Sequence, residues 1–405
     1  TCPPADGGRV MGERVCLGMS GGVDSALAAA LLVEQGHDVR AVYMRNWSRD
    51  LPGFRCTWAD DLADAERVAV TLGLDLEVWD CERTYKETVV DYLVDAYAHG
   101  YTPNPDVMCN QTVKFGAFAE RAFAEGADFV ATGHYARVGV APPAETAPSQ
   151  PLATVSSASV LAPSASVPAP SASVPAPSRR ATLLRAADEH KDQTYFLWRV
   201  PTGTLARTIF PVGDIPSKGE VRRMCAARGL GVERKPDSDG ICFIGEVGIR
   251  SFLLDVLDRR PGDIVEWETG TVLGRHDGAF LFTVGQRKGL DLGGGPARYV
   301  VTTDTESNVV YVTADRSCPA LWCRRLELSD VLWIAGVPPA EGDYVVRTRH
   351  TGELRPAHVM PHADGTVSVD LAKPMRAVAP GQSAVIYDGL VCLGGGIIQK
   401  GPLPS

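Results

Sequence analysis

Residues 15–25 read Val15-Cys16-Leu17-Gly18-Met19-Ser20-Gly21-Gly22-Val23-Asp24-Ser25 and run straight into Ala26-Leu27-Ala28-Ala29-Ala30-Leu31-Leu32. An apolar run, a Gly/Ser turn and an Ala/Leu-rich segment spell strand, tight loop and helix. Ser20, Gly21 and Gly22 let bare backbone N–H groups approach an anion, and the following helix adds the positive end of its dipole. The stretch predicts a phosphate site. No Gly-Lys-Ser/Thr closes it, so it is not a Walker loop, and it lacks the alternating glycines of the dinucleotide fingerprint. An ordinary Gly-rich turn is the plain alternative.

Working outward, Val39–Met44 reads as a second strand, Ala59–Leu72 as a helix, Leu74–Trp79 as a strand, Glu82–Ala98 and Val113–Glu125 as helices, and Asp128–Thr132 as a strand. Strands alternating with helices predict an α/β fold with a parallel sheet covered on both faces. Ligands on such sheets sit at the carboxyl ends of strands. Met44 and Gly133 close two strands at that edge, within reach of a nucleotide, and His134 follows, facing either RNA or a phosphate.

Two cysteines stand in polar surroundings. The run Gly100-Tyr101-Thr102-Pro103-Asn104-Pro105-Asp106-Val107-Met108-Cys109-Asn110 holds two prolines that enforce an extended segment, with Asn110 or Thr112 capping the next helix. Cys109 is then expected just before a helix N-terminus, where a thiol's pKa falls. An inert buried thiol is the alternative. Cys242 lies between Gly240 and Gly245 in an acidic, turn-rich stretch that suits an accessible thiol. The ten cysteines include no C-x-x-C pair, so neither a disulfide framework nor a structural metal site is expected. Lys191-Asp192-Gln193 precedes an aromatic run and suits contact with a polyanion and base edges, although a capped helix start would look similar.

A chain of 405 residues predicts two or three domains. Residues 1–10 read as a disordered extension ahead of Met11. Residues 141–178, rich in Pro, Ala, Ser and Val, bury too little to fold alone and read as a disordered insertion. The catalytic domain is expected over 11–247. From about Gly248 turn residues recur between short alternating segments at 262–289, 299–312, 342–349, 365–371 and 383–398, predicting a small central domain at 248–323 and a C-terminal antiparallel β-barrel at 324–405. The net charge of −9 opposes indiscriminate nucleic-acid binding but leaves room for a local basic face. No apolar run approaches the ~20 residues of a membrane span, and the first residues lack a signal peptide's pattern, so no membrane association and a cytoplasmic location are expected.

The string SGGVDS resembles the pyrophosphate loop of the ATP pyrophosphatases, in which Asp24 would assist a magnesium ion or orient phosphate. Taken with TPNPDVMCN (102–110), TGHYAR (132–137), KDQTYFLW (191–198), DSDGICFIGE (237–246) and FTVGQRKGL (282–290), the chain resembles the tRNA 2-thiouridylase family, MnmA or TrmU. The resemblance implies an ATP-pyrophosphatase (HUP-like) catalytic domain and ATP-dependent thiolation, at C2, of the wobble uridine in tRNAs for Lys, Glu and Gln. It implies that Gly18, Met19, Ser20, Gly21, Gly22, Val23, Asp24, Ser25, Met44 and Gly133 bind ATP with Mg2+, and that Asn104, Pro105 and Asp106 meet the target base. Cys242 would accept sulfur from a persulfide donor protein and Cys109 would act as nucleophile, the two ending as a disulfide, with Asp106 as general acid/base. His134, Lys191, Asp192, Gln193, Arg349, His350 and Gln382 would contact tRNA. Another pyrophosphate-loop ligase, such as a lysidine or amidotransferase-type synthetase, would leave both thiols dispensable. A non-catalytic tRNA-binding protein would not need an intact SGGVDS.

Overall fold

The strand β1 (Arg14–Gly18) buries its last four residues. It lies between β2 (Asp38–Arg45) and β4 (Phe129–Thr132), with Leu17 paired to Ala41 on one side and Ala131 on the other. A central parallel strand covered on both faces needs a continuous apolar run, which Val15-Cys16-Leu17 supplies. β3 (Leu76–Asp80) extends one edge and β7 (Thr208–Ile209) the other, giving the all-parallel order β3-β2-β1-β4-β7. From β1 the chain goes one way to β2 and later returns on the other side as β4. The loop after β1 therefore lies at the point where strand order reverses, where such sheets bind ligands.

This computed structural model describes residues 12–48, 57–140, 181–237 and 248–401. Cys242, the expected extension at 1–10 and the expected insertion at 141–178 lie outside the described residues.

Helix α1 (Val23–Glu34) is buried on nearly every side, with Ala26, Leu27, Ala28, Ala29 and Leu32 all fully inaccessible. It is wedged between the sheet and the helix Lys218–Ala227, whose Cys225 thiol meets the Val23 carbonyl at 3.5 Å. The expected helix at 82–98 forms, with a π-helical segment at Lys86–Val90. The next helix runs from Pro105 to Ala124 and is π-helical over Cys109–Ala117. Thr88 and Thr112 join the two π segments through a 2.7 Å hydroxyl contact.

The hairpin of β5 (Ala136–Val140) and β6 (Ala181–Arg185) leaves the parallel layer, and β6 pairs with the last strand of the chain, β17 (Val391–Ile398), through Leu183↔Cys392 and Leu184↔Val391. Between them, β8 (Gly262–Glu266), β9 (Val272–His276), β10 (Tyr299–Asp304) and β11 (Val309–Thr313) form a four-stranded sheet ordered β10-β11-β8-β9. The expected alternation over 262–289 stops at His276. Gly285 and Gly289 take left-handed φ values of 82° and 76°, and Phe282–Leu290 is an irregular loop. Then β12 (Trp322–Trp333), β13 (Gly342–Arg347), β14 (Arg355–Pro361), β15 (Val367–Arg376), β16 (Ser383–Asp388) and β17 make a closed antiparallel barrel ordered β12-β15-β14-β13-β16-β17, with β17 returning to β12. Leu326, Leu328, Val346, Val359, Val369 and Ile386 fill it. The fold is the expected one: a parallel α/β layer, a small central unit and a C-terminal antiparallel barrel.

Candidate functional site

The loop from Met19 to Ser25 is held by its own atoms. Met19 N–H donates to the Val42 carbonyl at 2.8 Å, and the Ser25 hydroxyl accepts from Ser20 N–H at 3.2 Å and donates to the Gly22 carbonyl at 3.1 Å. Gly22 caps α1 with no side-chain bond, so the first-turn N–H groups face an incoming anion rather than a capping oxygen. Gly21 has φ 72°, and a Cβ there would sit 2.0 Å from the Asp61 carbonyl oxygen. Gly133 ends β4 against the start of α1, and a Cβ there would lie 2.6 Å from Ser25 N and 2.7 Å from Asp24 C. Met44 lays its methyl over Gly18. The ATP-site expectations Gly18–Ser25, Met44 and Gly133 thus fall on one continuous patch at the carboxyl end of the sheet.

The Asp24 carboxylate is engaged by two side chains. It accepts from Tyr135 Oη at 2.7 Å and from Lys218 Nζ at 2.8 Å, and Lys218 also reaches Asp237 at 2.9 Å. Lys191 at 2.6 Å and Arg222 at 2.8 Å complete the clamp on Asp237. Burial alone would raise the Asp237 carboxyl; the lysine hydrogen bonds outweigh it and hold it at about 2. Burial, then Asp24, pushes the Tyr135 phenol up, so it remains a donor. On the other side Lys235 Nζ donates to the Gly21 carbonyl at 3.1 Å, to Asp61 at 2.7 Å and to Asp64. Sequence reading assigned no role at this loop to Tyr135, Lys218, Arg222 or Lys235. Tyr135 stood inside a quoted motif and could have been found there, but single basic residues in helices and turns carry no local signal.

The thiol helix differs from the expected one. Cys109 does not precede the helix; it lies in its second turn. Pro105 takes the first helical position, where its missing N–H costs nothing, and Asn104 caps the helix by accepting from Asp106 N–H at 3.0 Å. The second proline of the run starts the helix instead of extending the segment before it. Cys109 is 4% exposed and belongs to the core between sheet and helices. Burial pushes the Asp106 carboxyl up, partly countered by Lys114. His134, whose Nδ1 lies 2.7 Å from the Thr132 hydroxyl, packs against Phe115 and Phe210, and its burial, with Lys114, pushes its pKa well below the usual imidazole value. Asp106 and His134 thus both feel Lys114, one helical turn beyond Cys109.

The residues expected to face tRNA come from four distant stretches, and most of them meet. Gln193 accepts from Tyr135 N–H at 2.9 Å, beside His134. The His350 ring stacks on Phe196, with centroids 4.2 Å apart, and Arg349 beside it is exposed. Gln382 donates to the Thr102 carbonyl at 2.7 Å. Thr102 N–H also donates to the Pro380 carbonyl at 2.8 Å, and its hydroxyl lies 3.2 Å from that of Thr283 in the central unit. Asp192 is the exception. Its carboxylate is wholly buried, taking Arg347 at 2.9 Å, Arg185 at 3.4 Å and the Thr194 hydroxyl at 2.9 Å, and it also accepts from Thr194 N–H. The expected RNA contact by Asp192 is therefore replaced by a structural one, close to the capped-helix alternative.

Residues 13–246 match the family model described as tRNA methyl transferase HUP domain, 250–314 that of the tRNA methyl transferase PRC-barrel domain, and 323–398 that of the aminomethyltransferase beta-barrel domain. The chain is similar to a protein of Methylibium petroleiphilum named tRNA-specific 2-thiouridylase MnmA, at 44% identity over 95% of this chain and 98% of the relative. Proteins of the same name from Idiomarina loihiensis and Cupriavidus metallidurans are 39% and 40% identical, each over 96% of this chain and covering 96% and 99% of the relatives.

Proposed function

The chain belongs to the tRNA-specific 2-thiouridylase family, and from that premise we propose that it uses ATP to replace the C2 oxygen of the wobble uridine in tRNA with sulfur. One observation carries this reading: Thr102, two residues before Asn104-Pro105-Asp106, is gripped by both the barrel and the central unit. In this reading the segment that would meet the base and the helix bearing Cys109 lie beside Gln382, which bonds Thr102, and Lys191, Gln193, Arg349 and His350 would extend the RNA face from there.

In this reading the uridine O2 attacks the α-phosphorus of ATP. The loop Gly18–Ser25 holds the polyphosphate through backbone N–H groups, while Met44 and Gly133 bound the nucleotide. Mg2+ would enter with ATP, ligated mainly by phosphate oxygens beside Asp24, and would neutralise phosphate charge; among the described residues no group of three or more His, Cys, Asp or Glu is placed to hold a metal alone. Cys242 receives a persulfide from a donor protein. The Cys109 thiolate attacks the Sγ of Cys242, so that the persulfide S–S bond breaks and the outer sulfur leaves as hydrosulfide; the hydrosulfide adds to the activated C2, and AMP departs with the former O2 and its bonding electron pair. A Cys109–Cys242 disulfide remains, to be reduced before the next turnover. Burial, which raises the Asp106 carboxyl, suits it to hold and return a proton as the base reacts. His134, held neutral, offers a hydrogen bond rather than a charge.

The test is AMP formation measured with ATP, Mg2+, a persulfide donor protein and unmodified tRNA of the Lys, Glu or Gln type. AMP should form with that tRNA, and no more than background should form with a transcript carrying cytidine at the wobble position. Equal AMP from both transcripts would refute the substrate assignment.

A further inference from the structure

Lys218 and Lys235 stand on opposite flanks of the phosphate loop. Lys218 opens the helix Lys218–Ala227, fixed there by Ser217, whose hydroxyl accepts from Glu220 N–H at 3.2 Å. Its side chain is 14% exposed and binds both oxygens of Asp24. Lys235, 24% exposed, is tied to the loop itself through the Gly21 carbonyl. Each ammonium is held within reach of the loop without a nucleotide, and each is neutralised by carboxylates that repel a bare polyphosphate. Lys191, Lys218, Arg222 and Lys235, with Arg67 on Asp64, face Asp24, Asp61, Asp64 and Asp237. A polyphosphate arriving with a divalent cation can exchange both sides at once, the phosphates taking ammonium groups and the cation taking a carboxylate. Lysine suits this exchange because its compact charge and rotatable donors re-aim easily, unlike a planar guanidinium.

We propose that Lys218 and Lys235 form the pyrophosphate subsite, binding the β- and γ-phosphates of ATP and holding the pyrophosphate as it leaves. The proposal rests on the reading of the loop as an ATP site. When the nucleophilic oxygen bonds to the α-phosphorus, the bond from that phosphorus to the α,β-bridging oxygen breaks and its electron pair departs with pyrophosphate. The two ammonium groups offset the charge that develops there, and no redox partner is needed.

Calorimetric titration of the full chain with inorganic pyrophosphate and Mg2+, and separately with AMP, tests this. Lys218→Met and Lys235→Met should each weaken pyrophosphate binding about tenfold or more, the usual scale for losing one charge-assisted hydrogen bond. AMP affinity should stay within about twofold, and Lys→Arg variants, which keep the charge but not the compact ammonium, should recover only part of the pyrophosphate affinity. Unchanged pyrophosphate affinity in both Met variants, or equal loss of AMP and pyrophosphate affinity, would overturn the subsite. Should either Met variant fail to fold, amine-reactive labelling of the wild type gives the answer: magnesium pyrophosphate should protect Lys218 and Lys235, and unchanged labelling at saturation would refute the proposal. Wild type that binds neither ATP nor pyrophosphate would instead sink the ATP reading itself.

Discussion

Gly133 shows how narrowly a single residue constrains this site. Any side chain there meets the backbone of Asp24 and Ser25 at under 3 Å, and backbone cannot step aside cheaply. Gly133→Ala should leave the barrel and its docking intact but weaken ATP binding about tenfold or more, as read by calorimetry; wild-type affinity would mean that α1 moves freely. Asp106 gives a second prediction, with a sign. Burial raises its folded pKa above the unfolded value of 3.8, so its contribution to stability is present at low pH and lost as pH rises through the folded value. Asp106→Asn should therefore abolish thiolation while leaving Tm at pH 7 unchanged or slightly higher. A large fall in Tm would assign the carboxylate a structural role. The glycine's importance was legible because it sits in a dense motif. The lysines were not, because Lys218 reaches Asp24 across 194 positions and Lys235 reaches Gly21 across 214, and no local periodicity records such pairings. Asp192 misled because a polar triplet written in a line does not say which side chain turns inward.

At the scale of elements, the hairpin of β5 and β6 accounts for how a long Pro/Ala/Ser-rich stretch is tolerated. Val140 and Ala181 are cross-strand partners, so the chain leaves and returns at adjacent points. A two-residue Asn-Gly turn can join them. Replacing residues 141–180 by that turn should preserve both the melting transition and thiolation. Loss of folding would make the stretch structural. The alternation of strands and helices was readable from apolar periodicity, and so were the barrel strands. The helix start at Pro105 was misplaced because proline is compatible with both an extended segment and a first helical turn, and only the cap by Asn104 decides between them. The two π segments have no signature in composition. They appear where Thr88 and Thr112 bond across the helix pair that carries Cys109.

For the whole molecule, the barrel is fastened to the catalytic layer by β6–β17 pairing and by the buried cluster of Asp192, Arg185 and Arg347. Asp192→Asn leaves two arginines without their shared counter-charge, a loss of about 3–5 kcal/mol for a buried pair. It should lower Tm by several degrees and weaken tRNA binding more than pyrophosphate binding. Equal tRNA affinity would show that barrel docking does not shape the RNA face. The three-part architecture was legible in the change of pattern near Gly248, but the contact of all three parts around Thr102 was not. It depends on Pro380, Gln382 and Thr283, which lie far along the chain and only meet once the barrel has closed.

On this reading the assembly installs sulfur on uridine. This is tested most directly by nucleoside mass spectrometry of unmodified tRNA incubated with the full chain, ATP, Mg2+ and a persulfide donor protein. The wild type should yield 2-thiouridine in amounts matching AMP, and Cys109→Ser or Cys242→Ser should yield none. Thiolation by either serine variant, or AMP without 2-thiouridine from the wild type, would contradict it.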